Sequence, residues 1–151
     1  ILSPVELIRR AAHAGYTAVA IADHVGAGNC VDVVRQVARD CEMCMRYWSI
    51  LAIPAVEVTH VPAGAIAEVA QLAKENGARL VVVHGETIVE PVPKGTNIAA
   101  IRAKADILAH PGLITEEEVL LAKKNGVLLE ITCRRGHKLA NRIQQKNGLP
   151  R

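Results

Sequence analysis

Five short aliphatic runs, each breaking off into a histidine or a carboxylate, constrain what this chain can fold into. Leu80-Val81-Val82-Val83 runs into His84-Gly85-Glu86. Residues 18–22 run into Asp23-His24, and Pro54-Ala55-Val56 runs into Glu57-Val58-Thr59-His60. Ile107-Leu108-Ala109 meets His110-Pro111-Gly112, and Val127-Leu128-Leu129 meets Glu130. The runs lack polar alternation, as strands buried on both faces of a parallel sheet do. Helical patterns separate them, and that alternation predicts a parallel α/β sheet with right-handed crossovers. The strand-end positions 24, 57, 84, 110 and 130 lie 33, 27, 26 and 20 residues apart. Such a period fits the βα units of a barrel or a doubly wound sheet.

Local signals punctuate the pattern. Ser3-Pro4-Val5-Glu6 reads as a capping box with Pro at the first helical position, and Gly15 ends that helix. Asn29 is a candidate cap for a long helix over residues 29–47. Pro54, inside a strand over residues 50–58, predicts a bulge or a late start. Pro62 opens a helix with Ile66, Val69, Ala70 and Ala73 on one face. Residues 87–96 hold Pro91, Pro93 and Gly95, a stiff loop placed to wall a substrate. A short helix follows over 97–104, and Thr115-Glu116-Glu117-Glu118 is a second capping box. A last helix covers 138–146. No linker divides the chain, so residues 1–151 read as one domain. Its first helix lacks a preceding strand and its last lacks a following one. The expectation is a domain truncated at both ends, with too few strands to close a barrel.

Composition narrows the function. Half the residues are hydrophobic, yet Phe is absent and the only aromatics are Tyr16, Tyr47 and Trp48, so the core is aliphatic. A net charge of +3 is too small to point to a nucleic-acid partner. No apolar run reaches the ~18–20 residues that span a membrane. Four cysteines without regular spacing suggest no disulfide framework and fit a reducing cytoplasm. Cys41-Glu42-Met43-Cys44 matches C-x-x-C, but both thiols share a helix face with Cys30, Val34 and Val37, which favours a core role. Arg134, Arg135, Lys138, Arg142, Lys146 and Arg151 make the tail basic. They are either a solvated helix face or a phosphate-binding edge near Arg134, Arg135 and His137.

In αβ barrels the C-terminal strand ends converge on the active site. His24, Glu57, His84 and His110 would meet there, a donor set suited to Zn, Mn or Fe. Asp23 and Glu86 are placed to act on substrate or to orient a ligand, and His60 to support one. His13, on the first helix, reads as a surface residue.

Taken in order, the Asp23-His24, Val56-Glu57-Val58, Val83-His84 and His110-Pro111-Gly112 elements resemble the polymerase and histidinol phosphatase (PHP) family, and its stand-alone histidinol-phosphatase-like branch most. The resemblance implies an incomplete form of a distorted (β/α)7 TIM-like barrel, up to three divalent metal ions, and metal roles for His24, Glu57, His84 and His110. It implies a metal-dependent phosphoesterase acting on a small phosphorylated substrate. The alternatives are a nucleic-acid-processing or polymerase-associated module of the same family, or an inactive remnant. Family members carry a His-x-His strand that would precede Ile1 and an Asp-x-His pair that would follow Arg151.

Overall fold

The computed structural model describes residues 2–137. Helix α1 (Pro4–His13) leads to β1 (Ala18–Val25), α2 (Cys30–Tyr47) and β2 (Leu51–Val58). A single 3-10 turn (Ala63–Ala65) enters α3 (Ile66–Glu75), followed by β3 (Leu80–His84), α4 (Thr96–Arg102), β4 (Ile107–Ala109), α5 (Glu116–Asn125) and β5 (Leu128–Leu129). The strands form one parallel sheet in the order β1-β2-β3-β4-β5. This is an α/β array consistent with an incomplete TIM-like barrel. The helix expected over 138–146 and the basic residues Lys138, Arg142, Lys146 and Arg151 lie outside the described residues. No described helix is long and apolar enough to cross a membrane.

Register partners in a parallel sheet share a face. Val25, Val58, Val83, Leu108 and Leu129 therefore form one row across all five strands. That row packs with Ile66, Val69, Ala70, Ala73, Ile101 and Ala122 of the helices. Burying a Val or Leu in this way stabilises by roughly 1.5–3 kcal/mol. Right-handed crossovers between successive neighbours put all the helices on this face. The other face carries the row His24, Glu57, Val82, Ile107 and Leu128. It is not buried throughout, contrary to the expectation from the aliphatic runs: Leu51 is 53% and Leu128 67% exposed.

The local signals divide in an instructive way. The Thr115 box forms in both directions, with Thr115 Oγ1 accepting from Glu118 N and Glu118 Oε2 accepting from Thr115 N. Ser3 caps Glu6 N, but the Glu6 carboxylate pairs with Arg10 at 2.7 Å and does not reach back. Asn29 caps no helix amide; its Oδ1 accepts from Gly26 N and closes the loop before α2. Pro54 causes no bulge: the β1–β2 register runs through it, and the β2–β3 ladder begins at Ala55. Cys30, Cys41 and Cys44 are buried between α2 and its neighbours, and burial, with Cys44 and Asp40 adding to it, pushes the Cys41 thiol up to about 11. These are inert core thiols.

Two loops at the C-terminal rim are fastened together. Asn97 accepts at Oδ1 from Glu86 N and donates from Nδ2 to Pro111 O at 2.8 Å. Gly85 sits in the same junction, where an added Cβ would lie 2.5 Å from Ala109 O and 2.8 Å from Pro111 Cα. Gly85→Ala therefore costs about 1–3 kcal/mol of stability. Urea unfolding checks this, with Gly26→Ala, which meets nothing within 4 Å, as the near-neutral comparison.

Candidate metal centre

The register brings His24 and Glu57 side by side on the open face, and β3 adds His84 two residues beyond Val82. The chain then turns sharply after β2 and β4 at His60 (φ 53°) and His110 (φ 30°), in a region side chains rarely adopt. Such strain persists where surrounding structure fixes it, and it clusters at functional sites. It brings both rings to His84. The His60–His84 ring centroids are 5.2 Å apart and those of His84–His110 are 4.3 Å apart.

Glu57 lies between two imidazoles. Its Oε2 is 3.3 Å from His24 Nε2 and its Oε1 is 3.6 Å from His110 Nε2. Glu57 Oε1 and His110 Nε2 are buried without any hydrogen-bond partner. Two buried polar atoms left unpaired cost stability unless something bridges them. Their protonation states say what that is. His110 Nδ1 lies 2.9 Å from Glu130 Oε2, and an ionised carboxylate only accepts, so Nδ1 carries the proton. In a neutral ring Nε2 then presents a lone pair to the Glu57 carboxylate 3.6 Å away, an arrangement that could hold a cation. Glu130 also accepts from His110 N, which fixes the ring. A carboxylate behind a ligating imidazole is the usual support of a metal-binding histidine. Glu57, His84 and His110 offer ligand atoms within 4.8 Å of one another.

His84 is 2% exposed, and its Nδ1 lies 3.2 Å from Gly85 O, so here too Nδ1 donates and Nε2 keeps its lone pair. Burial, and the neighbouring His110, push the His84 pKa below its ordinary value, keeping the ring neutral and able to ligate.

One carboxylate escaped the sequence reading. Glu90, in the loop after β3, points into the histidines, 3.1 Å from His84 Nε2, 3.6 Å from His60 Nε2 and 3.4 Å from His137 Nε2. Partial burial pushes its carboxyl up, but His84, His137 and Arg134 more than offset this and hold it below the usual range. Only its place in a Pro-rich loop could have drawn notice to it. His60, expected as a supporting residue, stands beside His84 as a possible ligand.

Other expected site residues take different positions. Asp23 is exposed on β1 in register with Val56, and successive strand residues alternate faces, so it points away from the site that His24 enters. Glu86 turns from the rim: its Oε1 accepts from Gly95 N at 2.8 Å and Asn97 N at 3.0 Å, tying down the start of α4. The catalytic roles expected of Asp23 and Glu86 therefore have no geometric support. Arg134 lies 3.9 Å from Glu90, while Arg135 is exposed and makes no ion pair among the described residues. His137 is buried, with its Nδ1 2.9 Å from Thr87 Oγ1. A groove of about 510 Å3 beside α2, lined by Cys41, Met45 and Leu51, holds none of these histidines.

A protein of Methanocaldococcus jannaschii, described only as uncharacterized, is 44% identical to this chain over 142 residues. The match covers 93% of this chain, which spans 65% of the relative's length. No family model matches the chain, and no solved structure matches it.

Two outcomes follow from this geometry. Glu130→Gln weakens divalent-metal affinity ~10–100-fold while the protein stays folded, as isothermal titration with Zn2+ would show. Burial also pushes the His137 pKa down, as it does that of His84. The unfolded chain therefore binds more protons than the folded one as pH falls through about 6.5, and stability drops. Thermal melts of metal-free protein at pH 7.5 and pH 5.5 read this as a lower midpoint at the acid pH.

Proposed function

We propose that this protein is a metal-dependent phosphoesterase, hydrolysing a small phosphate monoester with a metal-activated water. The observation that carries the reading is the buried, unpartnered pair Glu57 Oε1 and His110 Nε2. A carboxylate facing a neutral imidazole lone pair suits a borderline divalent ion such as Zn, Mn or Fe. Glu57, His84 and His110 would hold it, with His24 on the second oxygen of Glu57. A divalent ion supplies a water of lowered pKa and neutralises charge on phosphoryl oxygens.

The protein's own residues do the rest. Glu130 holds the proton of His110 on Nδ1, and Gly85 O holds that of His84, so both rings present Nε2 to the centre. The side chain of His24 is 63% exposed, which leaves the β1 side open for a substrate to approach. Arg134, 3.9 Å from Glu90, adds positive charge at this rim and favours an anionic substrate over a neutral one. Four free cysteines suit a reducing compartment, and we place the activity in the cytoplasm.

Release of phosphate from p-nitrophenyl phosphate in the presence of Mn2+ or Zn2+ tests the reading. EDTA abolishes the activity, and Glu57→Gln lowers kcat/KM by more than about 100-fold, beyond what loss of an outer partner does. Activity that survives chelation, or Glu57→Gln, would contradict it.

A further inference from the structure

We propose that the groove beside α2, at the opposite end of β2 from the candidate metal centre, binds a free α-amino acid with an apolar side chain. It goes beyond the phosphoesterase reading and does not depend on it. The groove has a volume of about 510 Å3, within the range that holds small molecules. Cys41 and Met45 of α2, Leu51 of β2 and Leu80 of β3 give it an apolar lining. Met45 and Leu51 are exposed, and a ligand side chain laid against them would remove apolar surface from water.

Two opposite charges border this lining. Glu42 comes from α2 and Arg79 from the turn into β3. Both are exposed, and neither makes an ion pair among the described residues. The Arg79 backbone is fixed at the groove, where its N donates to Pro54 O at 2.8 Å. A guanidinium grips a carboxylate through a planar fork, and a carboxylate attracts an ammonium. A ligand with a single charge would meet a like charge in the same groove, whereas an amino acid satisfies both.

The backbone sets the ligand's length at one residue. Leu51 N donates to Thr17 O and Thr59 N to Val25 O, so the odd-numbered residues of β2 bond to β1. Backbone groups alternate sides along a strand of a parallel sheet, so the even-numbered ones face β3. The β2–β3 ladder begins at Ala55 and Leu80, and the bond from Arg79 N to Pro54 O precedes it. Ala52, which lines the groove, is left with its N–H and C=O facing a side that β3 does not reach. Ala52 is buried, and buried backbone groups normally find partners. An amino acid supplies both: its carboxylate accepts from Ala52 N and its ammonium donates to Ala52 O. A peptide strand would need a further rung at Pro54, which has no N–H and whose O is taken.

Isothermal titration of the whole metal-free protein with L-leucine and L-methionine tests the site. Both bind, one per chain. 4-Methylpentanoate, which lacks the ammonium, and 3-methylbutylamine, which lacks the carboxylate, each bind at least about 10-fold more weakly than L-leucine. Glu42→Gln and Arg79→Gln each weaken L-leucine by more than about 10-fold, and, being exposed, leave the urea midpoint unchanged. Glu57→Gln, at the other end of β2, keeps L-leucine affinity. Failure of both amino acids to bind at millimolar concentration overturns the site. So does L-leucine affinity unchanged in either groove variant, or matched by either analogue. Binding lost in Glu57→Gln and kept in the groove variants places the amino acid at the rim and overturns it too.

Discussion

A carboxylate at the C-terminal end of a central strand has to be compensated, and the rest of the rim follows from that. Glu57 sits on β2, with β1 and β3 hydrogen-bonded on either side. Its ion-pairing neighbours are imidazoles, His24 and His110. Imidazoles compensate a carboxylate directly only when protonated, and His110 already gives its Nδ1 proton to Glu130. What the arrangement lacks is positive charge between Glu57 and His110. A divalent ion would provide it without a further proton, so the same residues that leave two buried polar atoms unpaired form a group that could hold a metal ion.

The backbone serves this compensation. His60 and His110 hold positive φ directly after β2 and β4, so a ring from each loop returns over the strand ends. Gly112, also at positive φ, passes so close to the Glu86 carbonyl that any side chain there would collide with it. Asn97 bridges from Glu86 to Pro111 across the same gap. The imidazoles thus stand on loops locked to each other and not on free ends, which is what a metal needs from its ligands.

Much of this was legible in the sequence, for a physical reason. The continuous aliphatic runs, bounded by turn signals, located the strands, and their polar ends located His24, Glu57, His84 and His110 on one rim. The helix faces of α2 and α3 were legible from their helical periodicity. Glu90 was not, because its role depends on where a loop folds back; Glu130 was legible as a strand-end carboxylate, but its task depends on which imidazole nitrogen needs a partner. Glu86 looked like a rim acid and serves as an anchor for α4, since a carboxylate next to a helix start finds open amides there. Asp23 shows the limit of reading adjacency: one position along a strand reverses the face. Arg134 and His137 were read as phosphate contacts, and both lie against Glu90.

The central claim is that the histidines at this rim present Nε2 lone pairs to a cation while their Nδ1 protons are held by the protein. Imidazole 15N NMR of the whole protein, recorded before and after adding Zn2+, tests it most directly. The account predicts that His84 and His110 are neutral Nδ1–H tautomers at neutral pH, and that Zn2+ shifts their Nε2 resonances while Nδ1 stays protonated. Nε2 resonances unmoved by Zn2+, or Nε2–H tautomers at both residues, would contradict it.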